Sequence, residues 1–379
     1  MNGLPIARVA GIEIRVHVSW VIIVGLVTAL ATTQIEIVAP GVGDPLRFVL
    51  AVIVGFGFFV SALVHDLGHA WIARREGVEV PAVLVSFFGG TTPLDPEAGS
   101  GRSETAIALA GPLTSLVLGG ALTLIATGLG AVGGPVAGPL GAVSLVLGAL
   151  NILLGLANLI PAYPLDGGRA VRGAAWWRTG NERRASMIAA LAGRAVGWAI
   201  VGGGLVLALS GQMANGILVA VSGWFLAMTA RGLREQTEIQ ALLQGLLIDE
   251  FVERDVTRIA PGLTVDTFAQ GLLDDESPAA AAIVGPDGLL GVIGVGHVRR
   301  LRHGRWTTTR AEDLMAAVGR VPPLLAGGAL WPAIVRLRRS GIDGLPVVDG
   351  SSLIGVFTRR SIGLAMRSRQ GDPTPGVRS

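Results

Sequence analysis

Val60-Ser61-Ala62-Leu63-Val64-His65-Asp66-Leu67-Gly68-His69-Ala70-Trp71 is an apolar stretch carrying two histidines four residues apart. On a helix, positions i and i+4 share a face, so His65 and His69 can grip one metal ion. Imidazole and carboxylate groups are costly inside lipid and mark function when found there. Further along, a second apolar run ends in Asn158-Leu159-Ile160-Pro161-Ala162-Tyr163-Pro164-Leu165-Asp166-Gly167-Gly168. Asp166 is the candidate third ligand, and the two segments together point to a zinc hydrolase site at membrane depth.

The rest of the chain supports a membrane setting. Of 379 residues, 51% are hydrophobic and 15% charged, and the mean hydropathy is +0.61, which is too apolar for an ordinary soluble protein. Every basic residue is arginine, a composition that hints at a GC-rich bacterial genome. The net charge is only +3 and the arginines flank apolar runs, so membrane topology explains the basic pI and nucleic acid is not an expected partner. Absence of cysteine excludes disulfides, thiolate metal sites and cysteine nucleophiles. Met1 to Val16 is mixed in character and is not read as a cleavable signal.

Six stretches read as spans, roughly 17–36, 48–72, 104–127, 138–163, 187–210 and 214–230. Arg8, Arg15, Arg74, Arg75, Arg102, Arg169, Arg172, Arg178, Arg183, Arg184, Arg231 and Arg234 fall on one set of connectors, and the opposite set holds only Arg47. By the positive-inside rule both termini are cytoplasmic, which places His65, His69 and Asp166 toward the same membrane face. Residues 78–95 are rich in β-branched and aromatic types and are expected to form a short hairpin; Met1 to Val18 can form another strand pair.

From about Gly245 the composition becomes soluble, after a polar helical linker. Two related halves follow, with Asp255-Val256 paralleling Asp313-Leu314 and Gly291-Val292-Ile293-Gly294 paralleling Gly355-Val356-Phe357-Thr358. Each half reads as helix, strand, strand, helix. The fold class is therefore an α-helical integral membrane protein with about six transmembrane helices and a short β-hairpin, plus a C-terminal α/β domain pair. The expected divisions are 1–235 for the membrane domain, 236–249 for a linker, 250–308 and 309–367 for the two halves, and 368–379 for a disordered tail.

Catalytic zinc takes three protein ligands and keeps a fourth position for water. Asp66, beside the first histidine, can serve as general base. Pro161 and Pro164 break the helical ladder and Gly167-Gly168 permit a turn, so Asp166 can swing back toward the histidines. Asn158 can donate its amide to a developing oxyanion, and Asn151 shares its face. Plainer readings exist for each: helix–helix hydrogen bonding for the histidines and Asn158, a turn or N-cap role for Asp166, a packing kink for Gly111-Pro112.

These segments resemble the site-2 protease family of intramembrane zinc proteases. The family's histidine-glutamate-x-x-histidine motif matches His65 to His69, and its asparagine-to-aspartate-glycine motif matches Asn158 to Gly167. Ala110-Gly111-Pro112 and Phe88-Gly89-Gly90 look like further family features. The tail resembles the paired cystathionine-β-synthase-type (CBS) domains that one branch carries on the cytoplasmic side.

The resemblance implies one Zn2+ per chain on His65, His69 and Asp166, with Asp66 and Asn158 catalytic. It also implies substrate binding at Phe88, Gly89 and Gly90. The expected function is cleavage of a transmembrane substrate near its cytoplasmic end, in regulated intramembrane proteolysis. Expected partners are the lipid bilayer and a membrane-tethered regulator such as an anti-sigma factor, with a homo-oligomer through the CBS domains as a further option. The expected location is a bacterial cell membrane.

Two departures stand out. Asp66 replaces the family glutamate and is shorter by one methylene, about 1.5 Å. The alternative function is therefore a catalytically impaired, zinc-binding membrane regulator. In the tail, the position of the ribose-binding aspartate is Ser361 in the second half and His297 in the first, and Gly294 replaces the threonine retained as Thr358. Weak nucleotide binding is expected.

Overall fold

The computed structural model describes residues 3–85, 98–273, 280–286, 288–350 and 352–370. It divides into two compact units, Met1–Thr237 and Glu238–Ser379.

The first unit opens with β1 (Leu4–Val9) and β2 (Ile12–Val16), followed by α1 (Trp20–Val38), α2 (Asp44–Arg75) and β3 (Ala82–Val85). Then come α3 (Gly101–Val132), α4 (Ala137–Asn158), α5 (Asp166–Thr179), α6 (Glu182–Leu209) and α7 (Met213–Leu243), whose residues from Glu238 onward belong to the second unit. All of these except α5 are long and apolar enough to cross a membrane, and each contains most of one expected span. The fourth stops at Asn158 instead of 163, because Pro161 cannot continue the ladder. Helix ends follow local chemistry: Ser100 Oγ accepts from Ser103 N, Asn181 Oδ1 accepts from Arg184 N, and α5 ends at left-handed Gly180.

Large apolar side chains such as Val117, Leu124, Val206 and Leu209 point outward, while Ala51, Ala108, Ser115 and Asn151 are buried. That inversion suits lipid as solvent, where small residues let helices approach. At the α3–α4 crossing a Cβ on Gly148 would lie 3.1 Å from the Gly119 carbonyl oxygen. Only residues without side chains fit there.

β1 and β2 form the expected N-terminal antiparallel pair. β3, the described start of the expected hairpin, joins β2 in parallel, with Glu13 opposite Ala82 and Val16 opposite Val85. Parallel addition lets Val83 and Val85 share a core with Ile12, Trp20, Ala70 and Ile107. The remainder of the expected hairpin, including Phe88, Gly89 and Gly90, lies outside the described residues.

The second unit contains β4 (Arg258–Ile259), α8 (Val265–Leu273), β5 (Ala280–Gly285), β6 (Gly288–Gly294), α9 (Val295–Arg300), α10 (Ala311–Leu314) and β7 (Ala316–Ala317). It continues with β8 (Leu324–Leu325), α11 (Leu330–Ser340), β9 (Gly344–Asp349), β10 (Ser352–Thr358) and α12 (Arg359–Gln370). The sheets run β4-β5-β6-β7 and β10-β9-β8. The helix–strand–strand–helix order appears twice, as α8-β5-β6-α9 and α11-β9-β10-α12.

The register of the repeat differs from expectation. Val292 pairs with Ala316, and its counterpart Val356 pairs with Glu253. Phe251 therefore corresponds to Leu314, and Asp255 does not correspond to Asp313. Phe251 and Ile248 enter the core built from Leu324 to Ala365, whereas Leu314 packs on the core from Ile259 to Ala311. Each half's leading segment thus completes the other half, an exchange that the expected divisions at 250 and 309 cut across. Leu243 and Ile248, expected in a linker, belong to the core built from Leu324 to Ala365. α12 extends through Gln370, into the stretch expected as tail; residues 371–379 lie outside the described residues.

Candidate metal centre

His65 and His69 lie one turn apart on α2 and are buried, as is Asp166. His69 Nδ1 is 2.7 Å from the Ile107 carbonyl oxygen, and His65 Nδ1 is 2.8 Å from Ser115 Oγ. A carbonyl only accepts, so His69 Nδ1 carries the proton and, in the neutral ring, Nε2 presents a lone pair to the interior. Ser115 can fix His65 in the same tautomer.

Asp166 completes the group. After α4 ends, residues 159–165 turn back, and Asp166 begins α5, where the helix dipole favours a carboxylate. Gly167 and Gly168 belong to the first turn of α5 and do not form the expected separate turn. A Cβ on Gly167 would lie 2.3 Å from the Leu159 carbonyl oxygen, so the missing side chains clear the folded-back segment.

The His65 Nε2–Asp166 Oδ2, His69 Nε2–Asp166 Oδ2 and His65 Nε2–His69 Nε2 distances are each 3.2 Å. Ligands at about 2.0–2.1 Å from a tetrahedral zinc sit about 3.3–3.4 Å apart. Three lone-pair atoms in a triangle of that size, two of them on rings whose protons are engaged elsewhere, fit a small cation between them. The fit also depends on Gly111: a Cβ there would lie 2.1 Å from His69 Nε2 and 2.7 Å from His65 Nε2.

The other expected site residues are placed less directly. Asp66 is half-buried on α2 within electrostatic reach of His65 and Asp166. Asn158 is the last residue of α4, and its Nδ2 donates to the Leu154 carbonyl at 2.9 Å, so its amide is turned into its own helix. Asn151 is fully buried and donates to Ser61 Oγ at 2.9 Å, linking α4 to α2 one turn from His65. Sequence reasoning missed Ile107 and Ser115 and gave Gly111 no steric role; their spacing of four on α3 was the available signal.

Comparison with known proteins gives a consistent picture. The model for peptidase family M50 matches residues 52–200, and the CBS domain model matches residues 332–367. A Mycobacterium tuberculosis protein titled "Putative zinc metalloprotease Rip3" is 31% identical over 388 residues, covering 98% of this chain and 96% of that one. "Zinc metalloprotease MJ0392" of Methanocaldococcus jannaschii is 24% identical, covering 96% of each. The solved structure "Site-2 Protease from Methanocaldococcus jannaschii" is 25% identical, covers 62% of this chain and 95% of that chain, and superposes with a TM-score of 0.38.

Proposed function

The chain belongs to peptidase family M50, the site-2 proteases, and is a multi-pass membrane zinc metalloprotease with a C-terminal CBS domain; from that premise we propose that it cuts a transmembrane substrate near its cytoplasmic end. The observation that carries this reading is the 3.2 Å triangle of His65 Nε2, His69 Nε2 and Asp166 Oδ2. These three would hold one zinc, with both termini cytoplasmic as the arginine distribution favours. When bound, zinc acidifies a water and polarises the scissile carbonyl.

The protein groups do the rest. The Asp66 carboxylate accepts the proton of the attacking water and returns it to the departing amide nitrogen. Asn158 rotates its amide away from Leu154 to donate to the oxygen of the tetrahedral adduct. Phe88, Gly89 and Gly90 are assigned to substrate binding, where an unwound segment can add as a strand. The substrate class is a membrane-tethered regulator, of which an anti-sigma factor is one form.

A second reading, a zinc-binding regulator with impaired catalysis, is favoured by two observations: the short Asp66 side chain and the engaged amide of Asn158. One experiment addresses both. Purified full-length protein should hold about one zinc per chain and cleave a model transmembrane substrate, and His65→Ala or Asp166→Ala should lose most of the metal. Full zinc retention in both variants rules out the triad. Zinc without cleavage of a verified substrate selects the second reading.

A further inference from the structure

One face of α3 serves both histidines. Ile107 accepts from His69, Gly111 leaves room for the triangle, and Ser115 holds His65. One turn before Ile107 on the same face is Glu104, whose carboxylate is buried. Its Oε1 accepts from Arg172 Nη1 at 2.6 Å. Arg172 lies on α5, whose first residue is Asp166, and six helical steps put the two about 9 Å apart along the axis. The same guanidinium donates through Nε to Ser186 Oγ at 2.9 Å and through Nη2 to Glu182, both on α6.

Asp166 depends on α5 for its place. The N-cap residue Leu165 provides no side-chain cap, and the carboxylate reaches the two histidines through Oδ2 alone. α5 has 14 residues and is not one of the membrane-length helices, so its neighbours must fix it. The backbones of α3 and α5 touch at Gly173, where a Cβ would lie 2.7 Å from Thr105 N. Such a contact sets how near the helices come, but not how α5 slides or turns. A planar guanidinium bound at three nitrogens by α3 and α6 does set that.

We infer that the Glu104–Arg172 pair is the positioning contact for Asp166, the counterpart for the carboxylate of what Ile107 and Ser115 do for the histidines. The face of α3 formed by residues 104, 107, 111 and 115 then aligns all three metal-facing groups. This inference rests on the proposed reading of the triad as zinc ligands. A plainer role, in which the buried ion pair only holds three helices together, predicts the same loss of folding but no change in the metal site of folded molecules.

The test uses the full chain in lipid nanodiscs. Zinc affinity by chelator competition and the visible spectrum of the Co2+-loaded protein are compared for the parent, Arg172→Met, Arg172→Lys and the Glu104→Gln/Arg172→Met pair. Arg172→Met should lower zinc affinity about 10–100-fold, the range for residues that orient metal ligands, and alter the cobalt ligand-field bands. Arg172→Lys should recover only part, because an ammonium cannot reproduce the fork. The double variant removes the stranded Glu104 charge, so it should regain thermal stability while its metal affinity stays low. A folded double variant with parental affinity and spectrum overturns the inference, as does Arg172→Met if its folded fraction binds zinc like the parent. A parent that binds neither metal sinks the triad itself, which is a different failure and takes this inference with it.

Discussion

One buried polar cluster in each unit invites comparison, because the two are built in opposite ways. In the membrane unit, His65, His69 and Asp166 turn three lone-pair atoms toward one point, each 3.2 Å from the others, and the His69 ring proton is engaged by the Ile107 carbonyl. In the second unit, the polar groups around Thr358 and Asp343 close on one another. Thr358 donates its hydroxyl to Glu253 and its backbone N–H to Ser361 Oγ, and the Asp343 carboxylate accepts from Gly296 N at 2.6 Å. His297 Nδ1 accepts from Gly294 N, and burial pushes its pKa below the ordinary histidine value while Asp343 pulls the other way. The first cluster could hold a cation between its three atoms; the second is closed by its own hydrogen bonds. Kinship with a ligand-binding module does not by itself leave a ligand site open.

Gly111→Ala should break the contrast most sharply. Its methyl group would fall 2.1 Å from His69 Nε2 and 2.7 Å from His65 Nε2, against the two histidine corners of the triangle. Alanine favours the helix over glycine by about 1 kcal/mol, but the two buried histidine rings must shift to clear the methyl group, which offsets that gain. The expected result is loss of most bound zinc by metal analysis, with cleavage abolished and the melting temperature of the zinc-free protein unchanged or modestly lowered. Zinc content equal to the parent would show that the ion does not sit where the three atoms converge.

Asp66→Glu sharpens the comparison from the other side, because it changes the chemistry of the site without touching the ligands. Lengthening the side chain by about 1.5 Å restores the reach that the family motif provides. Turnover on a transmembrane substrate should rise about 10-fold or more, within the range of general-base effects, at constant zinc content. Equal and substantial cleavage by both forms would mean that the pocket already brings the Asp66 carboxylate to the water.

What the sequence disclosed follows the same division. The six spans were legible because length and apolarity suffice to mark them, and the triad because His65 and His69 share a helical face and Asp166 follows a proline break. The supports on α3 were hidden. Ile107 acts through its carbonyl, which no side chain advertises, and Gly111 acts by what it lacks. Glu104 meets Arg172 across 68 residues of chain. In the soluble unit, the Asp-Val and Asp-Leu resemblance misled the register, since strand pairing of Glu253 with Val356 and of Ala316 with Val292 sets it instead. Local identity is a weak guide where two halves exchange their leading segments.

The smallest expected effect concerns the soluble unit, and there the prediction is of almost none. A nucleotide ribose needs a free hydroxyl and a carboxylate at its rim; here the Thr358 hydroxyl is bonded to Glu253, and Ser361, which stands where the carboxylate would be, is fully buried. Binding would have to break a hydrogen bond to a charged group, worth about 1.5–3 kcal/mol, before gaining any contact. Calorimetry of the full-length protein with ATP or AMP should therefore show no micromolar binding. Glu253→Ala frees the hydroxyl but supplies no carboxylate, so it should lower thermal stability without creating affinity. Micromolar binding by the parent would mean that the closed cluster opens for a ligand after all, and the contrast between the two units would then be one of degree.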